Sequence, residues 1–224
     1  MKDNGRFNIE RCCTNAAQAI EALKAGAARI ELCRDIAVGG LTPSDDEILR
    51  AAASGIAVNV LVRPRAGDFV YSATELGKMA DSIRFCRKAG VNGIATGVLR
   101  RDGSIDVDAM EFLMKESEGL SVTFHRAFDE CHEPFEALED IISLGCDRIL
   151  TSGQAESAYE GMELIAELVR RAAGRISIMP GAGITPENLP AIAAKTGASE
   201  FHGTRLAVLD YTMAVQSTDF TSFS

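Results

Sequence analysis

Eight short apolar or β-branched runs recur along the chain, their ends separated by 21 to 34 residues. They are "FNIERCC", "ARIELC", "IAVNVLVRP", "GVNGIATGVL", "LSVTFHR", "DRILTSG", "RISIMPGAG" and "SEFHGT". Segments of helical spacing lie between them, at 16–25, 45–53, 73–89, 135–144, 158–172 and 186–194. Strands alternating with helices predict a parallel β/α architecture. Eight units consume the whole chain, and the first strand is not followed by a dinucleotide-binding GxGxxG. The expected fold is therefore a (β/α)8 TIM-type barrel, a single domain over 1–224, rather than a doubly wound sheet. After His202 only 22 residues remain, so the final helix is expected to be shortened or missing.

Local signals agree with this frame. Ser44-Asp45-Asp46-Glu47 has capping-box spacing, and Thr185-Pro186-Glu187 places proline where a helix begins. Gly26, Gly90, Gly145 and Gly197 each follow a helical segment, as C-terminal caps do. A hydrophobic fraction of 46% supports a substantial core, and no composition break suggests a linker. The net charge of −9 argues against a nucleic-acid surface. No apolar run reaches membrane-spanning length and the N-terminus does not resemble a signal peptide, so a cytoplasmic protein without a membrane partner is expected. Six scattered cysteines without CxxC spacing are expected to be free thiols in that reducing compartment.

In such barrels functional groups gather at the C-terminal ends of the strands. Side-chain alternation places Glu10 with Cys12, Glu31 with Cys33, Arg63 with Arg65, and Glu200 with His202 on shared faces. Thr123 and His125 share a face in "VTFHRAFDE", while Phe124 and Arg126 share the other. A lone histidine ending an apolar run fits a satisfied core position. Charged groups at four further strand ends shift that reading towards a polar pocket at the barrel mouth.

Glu10, Glu31, His125 and His202 are the candidates for acid–base catalysis. Asp129 either orients His125 or, as we expect, pairs with an arginine. "PGAGIT", with Gly181 and Gly183, offers backbone amides ahead of a helix and so suits an anion; a tight turn explains the same glycines. Arg63, Arg65, Arg126 and Arg205 add positive charge to that anion-binding set. The "RPRAGDFVY" loop, with Asp68, Phe69 and Tyr71, suits a cover over the pocket. "GGLTPS" fits either a similar cover or a flexible lead-in to a capped helix. Cys12 and Cys33 end adjacent strands about 4.8 Å apart, within reach of one soft metal ion, while Cys13 points to the opposite face. Structural thiols remain the alternative for the pair.

The strings "ARIELC", "GGLTPS", "RPRAGDFVY", "DGSID", "VTFHRAFD", "RILTSGQ", "GRISIMPGAGIT" and "EFHGTR" resemble the CutC copper-homeostasis family over about residues 9–205. The resemblance implies a cytoplasmic, homo-oligomeric TIM-type barrel that handles copper. It implies Cu(I) as the ligand and Cys12 and Cys33 as the metal-binding residues. Three strings depart from the family pattern. "ERCC" carries a charge where an apolar residue is usual, "PGAG" replaces "PGGG", and "HGTR" brings Arg205 one residue closer to His202. Two functions therefore stand side by side: copper homeostasis through the strand-end cysteines, or an enzyme acting by acid–base chemistry on a small anionic ligand, possibly phosphorylated.

Overall fold

A computed structural model describes residues 7–204 and contains all eight expected strands. They are β1 (Asn8–Cys13), β2 (Arg29–Leu32), β3 (Ala57–Leu61), β4 (Gly93–Thr96), β5 (Ser121–Phe124), β6 (Arg148–Thr151), β7 (Ser177–Pro180) and β8 (Glu200–Gly203). Every pairing is parallel, in the order β7-β6-β5-β4-β3-β2-β1-β8. β7 and β8 lie side by side without ladder pairing, so the TIM-type barrel is nearly closed. Among the described residues seven α-helices alternate with the strands: α1 (Ala16–Lys24), α2 (Asp45–Ala52), α3 (Ala73–Ala89), α4 (Val107–Glu116), α5 (Pro134–Ser143), α6 (Met162–Ala172) and α7 (Leu189–Thr196). The segment expected to hold a shortened final helix lies outside the described residues.

Strand alternation separates two interiors. Even-numbered residues such as Ile30, Val58, Val60, Ile94, Val122 and Phe124 are buried in the layer between barrel and helices. Odd- and even-numbered positions exchange roles in β1, β6 and β8, where Ile9, Ile149 and Phe201 take the outer face. Burying each such side chain contributes about 1.5–3 kcal/mol. The barrel lumen instead holds a polar layer that links strands across the bore. Arg29 donates to Glu10 at 2.5 Å and to Glu200 at 2.5 Å, and Arg148 donates to Glu200 at 2.9 Å.

Helix starts follow local chemistry with two departures from expectation. Ser44 caps α2, but the Glu47 carboxylate accepts the Ala16 amide at 2.9 Å instead of completing the box. The full capping box forms at Ser72 and Glu75, at the start of α3. α7 begins at Leu189 rather than at Pro186, because Asn188 Oδ1 accepts the Thr185 amide at 2.8 Å and holds 185–188 as a turn. α4, capped by Asp106, forms where no helical spacing was singled out. Gly90 and Gly197 close α3 and α7 with φ of 75° and 72°, conformations that glycine adopts without a Cβ penalty.

Candidate functional site

Strand pairing, rather than proximity in sequence, assembles the candidate site. The register sets Cys12 beside Glu31, Glu10 beside His202, and Glu31 beside Asn59. Neighbouring strands thus bring Glu10, Glu31, Cys12, Cys33 and His202 to the same end of the barrel. The Sγ atoms of Cys12 and Cys33 stand 3.6 Å apart. Cys12 is half-buried and Cys33 buried, and both are free thiols. Cys13, as expected, lies in the outer core.

The β2–α2 connection fits closely over Cys33. Gly40 has φ of 85°, and a Cβ there would stand 2.7 Å from Leu61 Cδ2 and 3.4 Å from Cys33 Cβ. Only glycine fits without displacement, so "GGLTPS" is a shaped cover rather than a slack lead-in. Arg63 fastens it, donating from Nη1 to the carbonyls of Val38 and Gly40 at 2.8 and 3.1 Å.

One layer deeper, Glu10 is fully engaged. Its Oε2 accepts from Arg29 and from Asn59 Nδ2 at 2.9 Å, and its Oε1 lies 2.9 Å from His202 Nδ1. Burial alone would raise its pKa, but the bond to His202 and the Arg29 charge prevail and lower it to about 2. Glu31 has the opposite balance. Burial dominates, the neighbouring Glu10 adds to it, and the partial offset from His202 leaves its pKa raised to about 7. Its Oε1 lies 4.0 Å from His202 Nε2, and its buried Oε2 has no partner among the described residues. His202 is pulled down by burial but raised overall by the two carboxylates. The Cys12 thiol is pushed up by its contact with Cys33, by burial and by the Glu31 charge. Among the described residues, two groups could hold a metal ion: Cys12, Glu31 and Cys33, or Glu10, Glu31 and His202.

Above these groups opens a cavity of about 690 Å³, whose wall includes Cys12, Glu31, Cys33, Arg63, His125 and His202. His125 stands immediately beyond β5 and continues its alternation, so its ring meets the cavity. The ring packs on Phe69, centroids 4.9 Å apart, which places Phe69 as the covering residue of the "RPRAGDFVY" loop.

The anion-binding candidates separate. Arg63 and Gly183 line the cavity. Gly181 does not line it: its amide donates to the Thr151 carbonyl at 2.9 Å, and a Cβ there would stand 2.5 Å from Leu150 Cδ1. Arg65 departs from the face shared with Arg63. It pairs with Glu75 and Asp68 at 2.6 and 2.8 Å and lies over the Tyr71 ring, which ties the loop together away from the cavity. Arg126 lines the rim yet pairs with Asp129 at 2.8 Å. Asp129 also accepts the Ser152 amide at 3.0 Å, so it anchors the "LTSG" turn rather than orienting His125. Arg205 lies outside the described residues. Ala182, the departure in "PGAG", adopts φ of 72°, a region that disfavours a side chain.

Arg29 and Asn59 were not singled out from the sequence, although they fix Glu10. Their signal was present: Arg29 shares a strand face with Glu31, and Asn59 is the one polar residue within "VNVLV".

The profile of the CutC family matches residues 7–207. A family protein CutC of Parabacteroides distasonis is 52% identical over 196 residues, covering 87% of this chain and 81% of the relative. One from Vibrio cholerae is 48% identical over 200 residues, covering 88% and 79%. The crystal structure of a provisionally assigned copper homeostasis protein CutC from Streptococcus agalactiae superposes with a TM-score of 0.85 at 36% identity, covering 89% of this chain and 99% of that one. An aldolase superposes with a TM-score of 0.72 over 97% of this chain, but at 12% identity that likeness concerns the fold alone.

Proposed function

The chain belongs to the CutC family, and on that premise we propose that it serves copper homeostasis by binding Cu(I) between Cys12 and Cys33. The observation that carries this reading is the 3.6 Å approach of two free thiols at the cavity wall. Thiolates are soft ligands and select Cu(I) over harder ions. With metal–sulfur bonds of about 2.3 Å, this separation subtends roughly 100° at the ion and leaves one side open to a third ligand. Glu31, whose ionised form prevails as pH rises above about 7, adds negative charge there, within 4.8 Å of both sulfurs. Because the Cys12 proton is firmly held, copper displaces it on binding, and affinity rises with pH.

A reducing cytoplasm suits the reading, since it keeps all six cysteines as thiols. A homo-oligomer belongs to it as well. Ile20, Leu23 and Leu49 are 44–50% exposed on the adjacent helices α1 and α2, an apolar face that a second copy would cover.

The test is anaerobic competition for Cu(I) against bicinchoninate. Changing groups that merely orient ligands costs 10–100-fold in metal affinity, so loss of a ligand should exceed about 100-fold. Cys12→Ser and Cys33→Ser are each expected to show that loss. Unchanged affinity in the double variant would overturn the reading.

A further inference from the structure

Two groups in the cavity wall have requirements that copper at the thiols does not meet. The first is His125, 4% exposed. Its Nδ1 accepts the Ala127 amide at 3.2 Å, which in a neutral imidazole leaves the proton on Nε2. Burial, reinforced by the Arg63 charge, keeps the ring neutral by lowering its pKa to about 3. The Nε2–H donor has no acceptor among the described residues. The ring is nonetheless held firmly. Phe69 and Phe124 pack against it, and at Gly97 a Cβ would stand 2.8 Å from Nδ1. A buried donor in a fixed ring is costly unless something outside the chain accepts from it.

The second is Arg63, 6% exposed. Its Nη atoms donate to three carbonyls, of Val38, Gly40 and Gly67, and its Nε has no partner among the described residues. No carboxylate lies within 4.0 Å of it among those residues, although nearly every other arginine of the site's surroundings has one. Carbonyls and the face of Phe69, 4.8 Å from Cζ, compensate a buried cation only in part. His125 and Arg63 flank the same Phe69 ring, and both residues line the one cavity.

From this pairing we infer that the cavity binds a small organic oxyanion, its charged oxygens facing Arg63 and accepting the Nε2–H of His125. The remaining wall describes the other end of that molecule. Ile36, Leu61, Phe69, Leu150 and Ile184 line the cavity, so the ligand carries an apolar body. A cavity of about 690 Å³ accommodates such a body, being well beyond the needs of a bare ion. The amides of Gly183 and Ile184, which make no hydrogen bond among the described residues, add donors on the opposite wall. The inference does not rest on copper binding. It assigns His125, which the thiol pair leaves without a role.

The full chain is titrated with 3-phenylpropanoate, with the neutral 3-phenylpropanamide and with inorganic phosphate, while the His125 ring nitrogens are followed by long-range ¹H–¹⁵N NMR. Saturable displacement of the Nε2 resonance by either anion, with the amide weaker by at least about tenfold, is expected. Tighter binding of phosphate assigns a phosphate headgroup; tighter binding of phenylpropanoate assigns a carboxylate. His125→Asn sets an amide oxygen where Nδ1 stands, keeps the bond to Ala127 and removes the Nε2 donor. It should weaken the anion by about tenfold or more with the thermal midpoint little changed. Absence of saturable displacement by both anions, or undiminished anion binding by a folded His125→Asn variant, would overturn the inference.

Discussion

Nδ1 of His202 stands 2.9 Å from Oε1 of Glu10, so β8 and β1 are joined through the lumen one layer below the thiols. The same carboxylate accepts from Arg29 and Asn59. Such a network is tightly satisfied and correspondingly vulnerable. Glu10→Gln leaves Arg29 with Glu200 alone and is expected to destabilise the fold by about 3 kcal/mol at neutral pH. The pH dependence follows from the sign of the shift. Against burial, the bond to His202 and the Arg29 charge hold the Glu10 pKa near 2, below its ordinary value of 4.5. The stability it contributes is full above the ordinary value and lost as pH falls towards 2. Urea unfolding at descending pH should therefore show the wild-type advantage over Glu10→Gln shrinking; a gap independent of pH would contradict the assignment.

His125 should behave differently from an ordinary histidine. Burial and Arg63 lower its pKa to about 3, so the ring stays neutral throughout the range where an exposed imidazole titrates. In a ¹H–¹⁵N spectrum Nδ1 is expected to keep the signature of an unprotonated nitrogen, with Nε2 protonated, from about pH 8 to about pH 5. The stability linked to the neutral ring is present above the ordinary histidine pKa and declines as pH falls below it. A midpoint near the ordinary value would show that the ring is not buried as described.

Much of this arrangement was legible in the chain. The spacing of apolar runs located all eight strands, because a period of two and a regular repeat survive without tertiary information. The lumen was legible in part, since Glu31 and Cys33 announce a shared face by alternation. The partners of each charge were not. Arg65 occupies the position expected to share the cavity face with Arg63, yet the Pro64–Gly67 turn carries it to Asp68 and Glu75. Likewise, which arginine serves Glu10 depends on the stagger of β1 against β2, a quantity that sequence does not display. α4 escaped notice because its apolar stripe, Ala109, Met110 and Leu113, is short and its cap lies in the loop "DGSID".

Two glycines should differ sharply in their tolerance. At Gly161 a Cβ would stand 1.9 Å from the Ser152 carbonyl oxygen, a backbone atom held by the β6–α6 turn. Gly161→Ala is expected to cost more than about 3 kcal/mol, above the usual range for a single substitution. At Gly40 the close neighbour is the end of the Leu61 side chain, which can move, and the principal penalty is the positive φ. Gly40→Ala is expected to cost about 1–2 kcal/mol and to disturb Cys33 directly. Denaturant midpoints separate the two; equal losses would mean that the Ser152 turn yields easily.

The thiol pair allows a test that needs no metal. Contact with Cys33 is the largest influence holding the Cys12 thiol protonated, followed by burial and by Glu31. Only the thiolate is alkylated at an appreciable rate. Cys33→Ala removes the first influence and leaves a methyl of similar shape, so Cys12 should react faster with iodoacetamide at pH 8. Each unit by which its pKa falls is worth about tenfold in thiolate population. Glu31→Gln removes only the negative charge and should give a smaller acceleration. Site-resolved mass spectrometry follows Cys12 apart from the buried Cys13, Cys86, Cys131 and Cys146. If Cys33→Ala left the Cys12 rate unchanged, the sulfurs would not be in contact in solution. The order expected, Cys33→Ala above Glu31→Gln above wild type, separates the effect of that contact from the field of the carboxylate.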